Sequence, residues 1–130
     1  PDNNPKTAKR VLLCSGKVFY DLLEHREKNG RDDVAILRVE QLYPLPTAEL
    51  MQRLEPYAGK PIFWVQEEPA NQGAWPFILT QFVHHLNNTD DHFDVALVSR
   101  KASASPATGS AGAHDIEEKR LLAKAFGDTE

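Results

Sequence analysis

The sequence has 130 residues, 41% of them hydrophobic and 26% charged, with a formal net charge of −4 and one cysteine. A chain of this length buries roughly two thirds of its unfolded surface in a single core, with no need of metals or crosslinks. Cys14 alone permits neither an internal disulfide nor a cysteine-rich zinc site, the interspersed and mildly acidic charge offers no basic stripe to nucleic acid, and no run approaches the roughly 20 apolar residues of a membrane span. The polar start Pro1-Asp2-Asn3-Asn4-Pro5 lacks the apolar heart of a signal peptide, so a cytoplasmic location is expected. That Pro- and Asn-rich start without a methionine reads as a linker over 1–8, cut from something longer, ahead of one domain over 9–130.

Arg10 to Cys14 is an apolar run of strand length that stops at Ser15-Gly16. From Lys17 onward Val18, Phe19, Leu22 and Leu23 recur at helical spacing, Glu24 pairs with Lys28, and Asn29-Gly30 ends the helix. Val34 to Val39 is a second, β-branched run of the kind covered on both faces, so strand, helix and strand predict a parallel crossover. Pro44-Leu45-Pro46 breaks the chain, after which Thr47 caps a helix carrying Leu50, Met51 and Leu54. Pro61 to Val65 is a third strand, and a helix follows with Pro76 in its first turn and Phe77, Ile78, Phe82 and Leu86 on its apolar stripe. A fourth strand is expected over Phe93 to Val98, then a small-residue loop over Ala102 to Gly112, then a helix carrying Ile116, Leu121, Leu122, Ala125 and Phe126. This alternation predicts an α/β fold, a three-layer α/β/α sandwich with a mostly parallel sheet and right-handed crossovers. The order of the strands is left open.

In such sheets ligands sit beyond the carboxyl ends of the strands. Ser15, Gly16 and Lys17 are the first anion-binding candidates, with Ser15 placed to cap the helix, although Ser-Gly before a helix is also ordinary punctuation. Arg100, Ser103 and Ser105 are the second set, cations and hydroxyls closing a strand, in a composition that a solvated loop shares. Between them lies the least ordinary stretch, Gln66 to Trp75, with two carboxylates, two further carboxamides, a glycine and a tryptophan. Adjacent residues of an extended chain point to opposite faces, so Glu67 and Glu68 make a poor acid–base pair. Glu67, Glu68, Asn71, Gln72, Gly73 and Trp75 instead read as a partner interface, with Trp75 an anchor of the hot-spot kind or else a cover for the core. His84 and His85 are neighbours on a helix and do not converge on one metal. Cys14 has no activating base and reads as a packed, inert thiol. No catalytic residue and no metal site is assigned.

Four segments taken together, Leu13 to Leu23, Arg38 to Pro46, Gln66 to Trp75 and Ala102 to Gly109, resemble the thiamine-diphosphate-dependent decarboxylating component of the 2-oxoglutarate dehydrogenase complex, in order and spacing across 9–127. The resemblance implies a transketolase-type C-terminal domain at a homodimer interface. It implies too that thiamine diphosphate, its Mg2+ ion and the 2-oxoacid are held by preceding domains, since the Gly-Asp-Gly cofactor motif is not in this sequence, and that this chain alone is inactive. The partners implied are those preceding domains, a second copy, and the lipoyl-bearing succinyltransferase component. Some members bind a nucleotide or acetyl-CoA effector at the position of Gln41 and at basic residues just past the second proline. Here Thr47, Ala48 and Glu49 stand at those basic positions, which weakens attraction to a phosphorylated ligand. The alternative, from a different class, is a free-standing module that binds an anion or nucleotide such as acetyl-CoA or AMP.

Overall fold

The computed structural model describes residues 3–40, 47–88, 95–100 and 111–128, and for 47, 82–88 and 111–115 the backbone alone. Strands and helices alternate in the expected order: β1 (Arg10–Cys14), α1 (Val18–Asn29), β2 (Val34–Arg38), α2 (Thr47–Leu54), β3 (Ile62–Val65), α3 (Trp75–Asn88), β4 (Val95–Val98) and α4 (Ala111–Ala125). All pairings are parallel, with Leu12 of β1 opposite Ile36 on one side and Phe63 on the other, and Trp64 opposite Leu97. Successive side chains along a strand point to opposite faces, so each near-continuous apolar run feeds two cores. Val11, Leu13, Ala35, Leu37, Ile62 and Trp64 pack against Leu50, Met51 and Leu54 of α2 and Ile78 of α3. Leu12, Cys14, Val34, Ile36, Val65 and Val98 pack against Val18 and Leu22 of α1 and Leu121 and Ala125 of α4. Two helices on each face make the three layers.

The strand order is β2-β1-β3-β4. The chain moves outward from β1 to β2, crosses back over β1 to β3, and continues to β4. Because the direction reverses between β1 and β3, their following loops diverge to opposite faces, and a crevice opens at their carboxyl ends. This is where the first and third loops meet.

Three local readings are refined. Ser15 does not cap α1: the cap position is Lys17, no side chain bonds the helix there, and Gly16 at φ 75° turns the chain so that Phe19 N–H reaches the Gly16 carbonyl at 3.2 Å. The last loop ends earlier than expected, because Ala111 and Gly112 already belong to α4; alanine is the strongest helix former, and a glycine in the first turn costs little. A 3₁₀ turn over Glu55–Tyr57, with Pro56 at its start, was not foreseen. The Glu24–Lys28 pair forms at 3.7 Å, and Gly30, at φ 59° in the left-handed region, ends α1. The turn at Pro44 to Pro46, the strand start at Phe93, and the side chains of His84 and His85 lie outside the described residues.

The amino end of the sheet closes on itself. Arg31 bonds Asp33 through Nε at 2.9 Å, Asp128 through Nη1 at 2.7 Å, and the Phe126 carbonyl through Nη2 at 3.0 Å. Arg10 Nη1 reaches the Ala125 carbonyl at 2.8 Å. Gly127 turns the chain at φ 77°, which favours glycine, and a Cβ there would sit 2.5 Å from Arg10 Nη2 and displace that guanidinium. Two arginines thus tie the last helix to the start of the sheet.

Candidate functional site

At the opposite end, the loop after β3 is organised by one buried side chain. Gln66, 4% exposed, accepts hydrogen bonds at Oε1 from the Trp64 indole and from the Trp75 backbone N–H, both at 3.0 Å. Its Nε2 donates to the carbonyls of Glu68, Pro69 and Gln72 at 3.1, 2.9 and 2.8 Å. Two N–H groups facing three acceptors means that one is shared, so the carboxamide is used to its full capacity. Gly73 adopts φ 67°, and a Cβ there would lie 3.0 Å from Gln66 Oε1, so the close approach and the left-handed turn both select glycine. Pro69 is buried beside them. The loop is therefore built around Gln66, which was not among the sequence candidates. The signal was available: a carboxamide directly after a buried strand has four bonds to satisfy, and a polar loop supplies them.

The loop leaves Glu68, Asn71, Gln72 and Gly73 exposed and Glu67 and Trp75 half-buried. Trp75 packs with Ala74 and Phe77 against the α2/α3 core, so it covers that core with one part and meets solvent with another. Ser15, Gly16 and Lys17 face this loop across a cleft of about 460 Å³, which Trp64, Gln66, Glu67, Glu68 and Gly73 also line. This cleft is the crevice expected between the ends of β1 and β3. Arg100 lies on the other side of Glu67, in a small recess with Glu117, Glu118 and Leu121. Ser15, Glu67, Trp75 and Arg100 thus share one rim. Ser103 and Ser105 lie outside the described residues.

The charges of the rim disfavour a free anion. Lys17 Nζ stands 3.6 Å from Asp21 Oδ2, and Arg100 Nη1 stands 3.5 Å from Glu117 Oε2. Both cations already face a carboxylate, and Glu67 and Glu68 add negative charge to the same cleft. An incoming phosphate would meet those acids with no unengaged cation in compensation among the described residues lining it. Cys14 contributes nothing nucleophilic: it is fully buried, and loss of solvent pushes its thiol up to about 12, with the Arg38 charge opposing. Among the described residues, no three His, Cys, Asp or Glu side chains converge on a metal position.

A second cleft, of about 560 Å³, opens at the carboxyl end of β2 and is lined by Phe19, Arg38, Glu40, Glu49, Leu50 and Arg53 among others. Arg38 lies over the rings of Phe19 and Tyr20, 5.3 Å from each centroid, and donates to the Tyr20 hydroxyl at 3.2 Å. Arg53 Nη1 donates to the Arg38 carbonyl at 3.1 Å. Neither arginine was singled out from sequence, where each reads as an ordinary strand-end or helix-surface cation. Gln41, next in the chain after Glu40, lies outside the described residues.

Comparison with known proteins decides the kinship. Residues 1–126 match the family described as 2-oxoglutarate dehydrogenase C-terminal. The chain belongs to that family. Among its relatives are the 2-oxoglutarate dehydrogenase E1 components of Azotobacter vinelandii, 45% identical over 128 residues, and of Haemophilus influenzae, 46% identical over 124. The Multifunctional 2-oxoglutarate metabolism enzyme of Mycolicibacterium vanbaalenii is 46% identical over 121 residues. These alignments cover 92–95% of the chain but only 10–13% of each relative. The α/β/α sandwich is thus the architecture of a 2-oxoglutarate dehydrogenase C-terminal domain, and its Gln66 to Trp75 loop is organised by the buried Gln66 side chain.

Proposed function

We propose that this chain is the assembly and regulatory domain, spanning 9–130, of a thiamine-diphosphate-dependent 2-oxoglutarate dehydrogenase. The complete enzyme decarboxylates 2-oxoglutarate and passes the succinyl group to a lipoyl carrier, in the cytoplasm and within the citric acid cycle, and this domain docks through its carboxyl-end rim onto the preceding domains and a second copy. The observation that carries the reading is the Gln66 hub, whose five hydrogen bonds, with the Trp64 indole, the Trp75 N–H and the carbonyls of Glu68, Pro69 and Gln72, fix the loop that carries Glu67, Glu68, Asn71, Gln72 and Trp75. Preorganisation of this kind lowers the ordering cost of association. A half-buried tryptophan at the end of a loop rich in polar residues has the make-up of an interface anchor.

The described residues of the cleft between β1 and β3 suit neither thiamine diphosphate nor its Mg2+ ion. A diphosphate in that cleft would face Glu67 and Glu68, and no metal-holding cluster was found among the described residues. We assign them to other domains of the complete enzyme, so the chain alone is inactive. The same acids weigh against the free-standing anion-binding module, while the cleft lined by Arg38, Glu40 and Arg53 keeps an effector role for that region, with Gln41 next in the sequence, within the proposal.

The test is Trp75→Ala in the complete enzyme. Sedimentation equilibrium should show dimer dissociation increased by at least roughly tenfold, the scale of a modest hot spot, while the 130-residue chain carrying the same change still unfolds cooperatively in urea. Unchanged dimerisation would remove Trp75 from the interface.

A further inference from the structure

The edge of a sheet exposes a row of unpaired N–H and C=O groups, and a neighbouring chain can pair with them. In β2 the residues of even number direct these groups away from β1, as the bonds of Ile36 show. Asn3, far away in sequence, takes both of them: its Nδ2 donates to the Ile36 carbonyl at 2.9 Å, and its Oδ1 accepts from the Ile36 N–H at 3.0 Å. One carboxamide therefore reproduces the donor and acceptor that an added strand would offer at this position. Arg26, 8% exposed, locks it in place, with Nη1 donating to Asn3 Oδ1 at 2.6 Å and to the Val34 carbonyl at 3.1 Å. Two further outward groups are also engaged: Val34 N–H by the Arg31 carbonyl at 3.4 Å, and the Arg38 carbonyl by Arg53.

Asn3 does not act alone. Thr7 Oγ1 donates to the Asp32 carbonyl at 3.1 Å, Lys9 N–H to the Asp33 carbonyl at 2.6 Å, and Lys60 Nζ to the Pro5 carbonyl. Ala8 is buried at 3% exposure. The described part of the stretch read from sequence as linker, 3–8, is thus bonded to the β2 edge and to the turns at the amino end.

We propose that residues 3–8 form an edge guard, in which Asn3, clamped by Arg26, occupies the pairing site of β2 and prevents a second copy of the chain from adding a strand there. Association is thereby directed to the carboxyl-end rim. The test compares the parent 130-residue chain with Asn3→Ala by hydrogen exchange and sedimentation velocity. The Ile36 amide should exchange roughly three- to tenfold faster, the scale of one net hydrogen bond, with Leu12 and Leu13 of the central strand unchanged. Concentration-dependent self-association should rise above that of the parent. Asn3→Asp keeps the acceptor for Ile36 N–H and Arg26, and it should retain the parent exchange rate at Ile36. An unaltered Ile36 rate in Asn3→Ala, or a rate increase spread equally over Leu12 and Ile36 in both variants, would overturn the clamp. Faster exchange with no added self-association would overturn the guard.

Discussion

The two ends of the parallel sheet use polar side chains in opposite ways. At the amino end Arg31 and Arg10 bond Asp33, Asp128 and the carbonyls of Ala125 and Phe126, so charge is consumed in tying α4 to the sheet. At the carboxyl end the buried Gln66 satisfies backbone and indole groups, while the carboxylates of Glu67 and Glu68 face an open cleft. One end stabilises the molecule with its charges; the other holds a loop rigid and leaves charges turned outward. This contrast is the ground for the proposed docking through the rim.

The contrast is sharpened most by Gln66→Ala. Removal of the carboxamide leaves the Trp64 indole, the Trp75 N–H and buried carbonyls without partners, and it should cost about 2–4 kcal/mol, since each unsatisfied buried group costs about 1–3 kcal/mol. Both tryptophans of the chain bond Gln66, so intrinsic fluorescence in a urea titration reports the loss directly. A loss below about 0.5 kcal/mol, the scale of an ordinary surface change, would mean that the hub is ornamental.

Arg31→Ala comes next, at about 1–2 kcal/mol, because the pairs it breaks are partly exposed and such pairs are worth little individually, while the Phe126 carbonyl loses its donor. The same titration in high salt should narrow the gap between parent and variant. An effect as large as that of Gln66→Ala would erase the distinction between the two ends.

The smallest expected effect is on acid stability. The hydrogen bond from Arg31 holds the Asp33 carboxyl below the usual carboxylate range, with burial opposing and the Arg31 charge assisting. A depressed native value means that the stabilisation is complete above the unfolded value of about 4 and is lost as pH falls through the native one. The parent chain should therefore lose slightly more stability than Arg31→Ala, less than about 1 kcal/mol, as urea midpoints are followed from pH 6 down to about 2. Parallel curves for the two proteins would dissociate Asp33 from Arg31.

These expectations rest on features that differ in how far the sequence reveals them. The strands were legible because Arg10 to Cys14 and Val34 to Arg38 are apolar on both faces, which only a covered sheet accommodates. Their order was not, since parallel pairing joins segments far apart in sequence and no local pattern encodes which neighbour wins. The rim was legible as loops after strands. Gln66 was missed because a carboxamide shows its importance only through partners that folding brings to it, and Asn3 was hidden for the same reason, its partners Arg26 and Ile36 lying 23 and 33 residues away. Ser15 misled because Ser-Gly before a helix suits a cap, whereas Gly16 turns the chain before the hydroxyl can reach the first amides.

The most direct measurement is hydrogen exchange of the complete enzyme against the 130-residue chain, read in peptides from 66–75 and from 31–33 with 125–128. Docking through the rim predicts strong added protection over 66–75 in the enzyme and none at the amino end. Protection added instead at 31–33 and 125–128, with 66–75 unchanged, would contradict it.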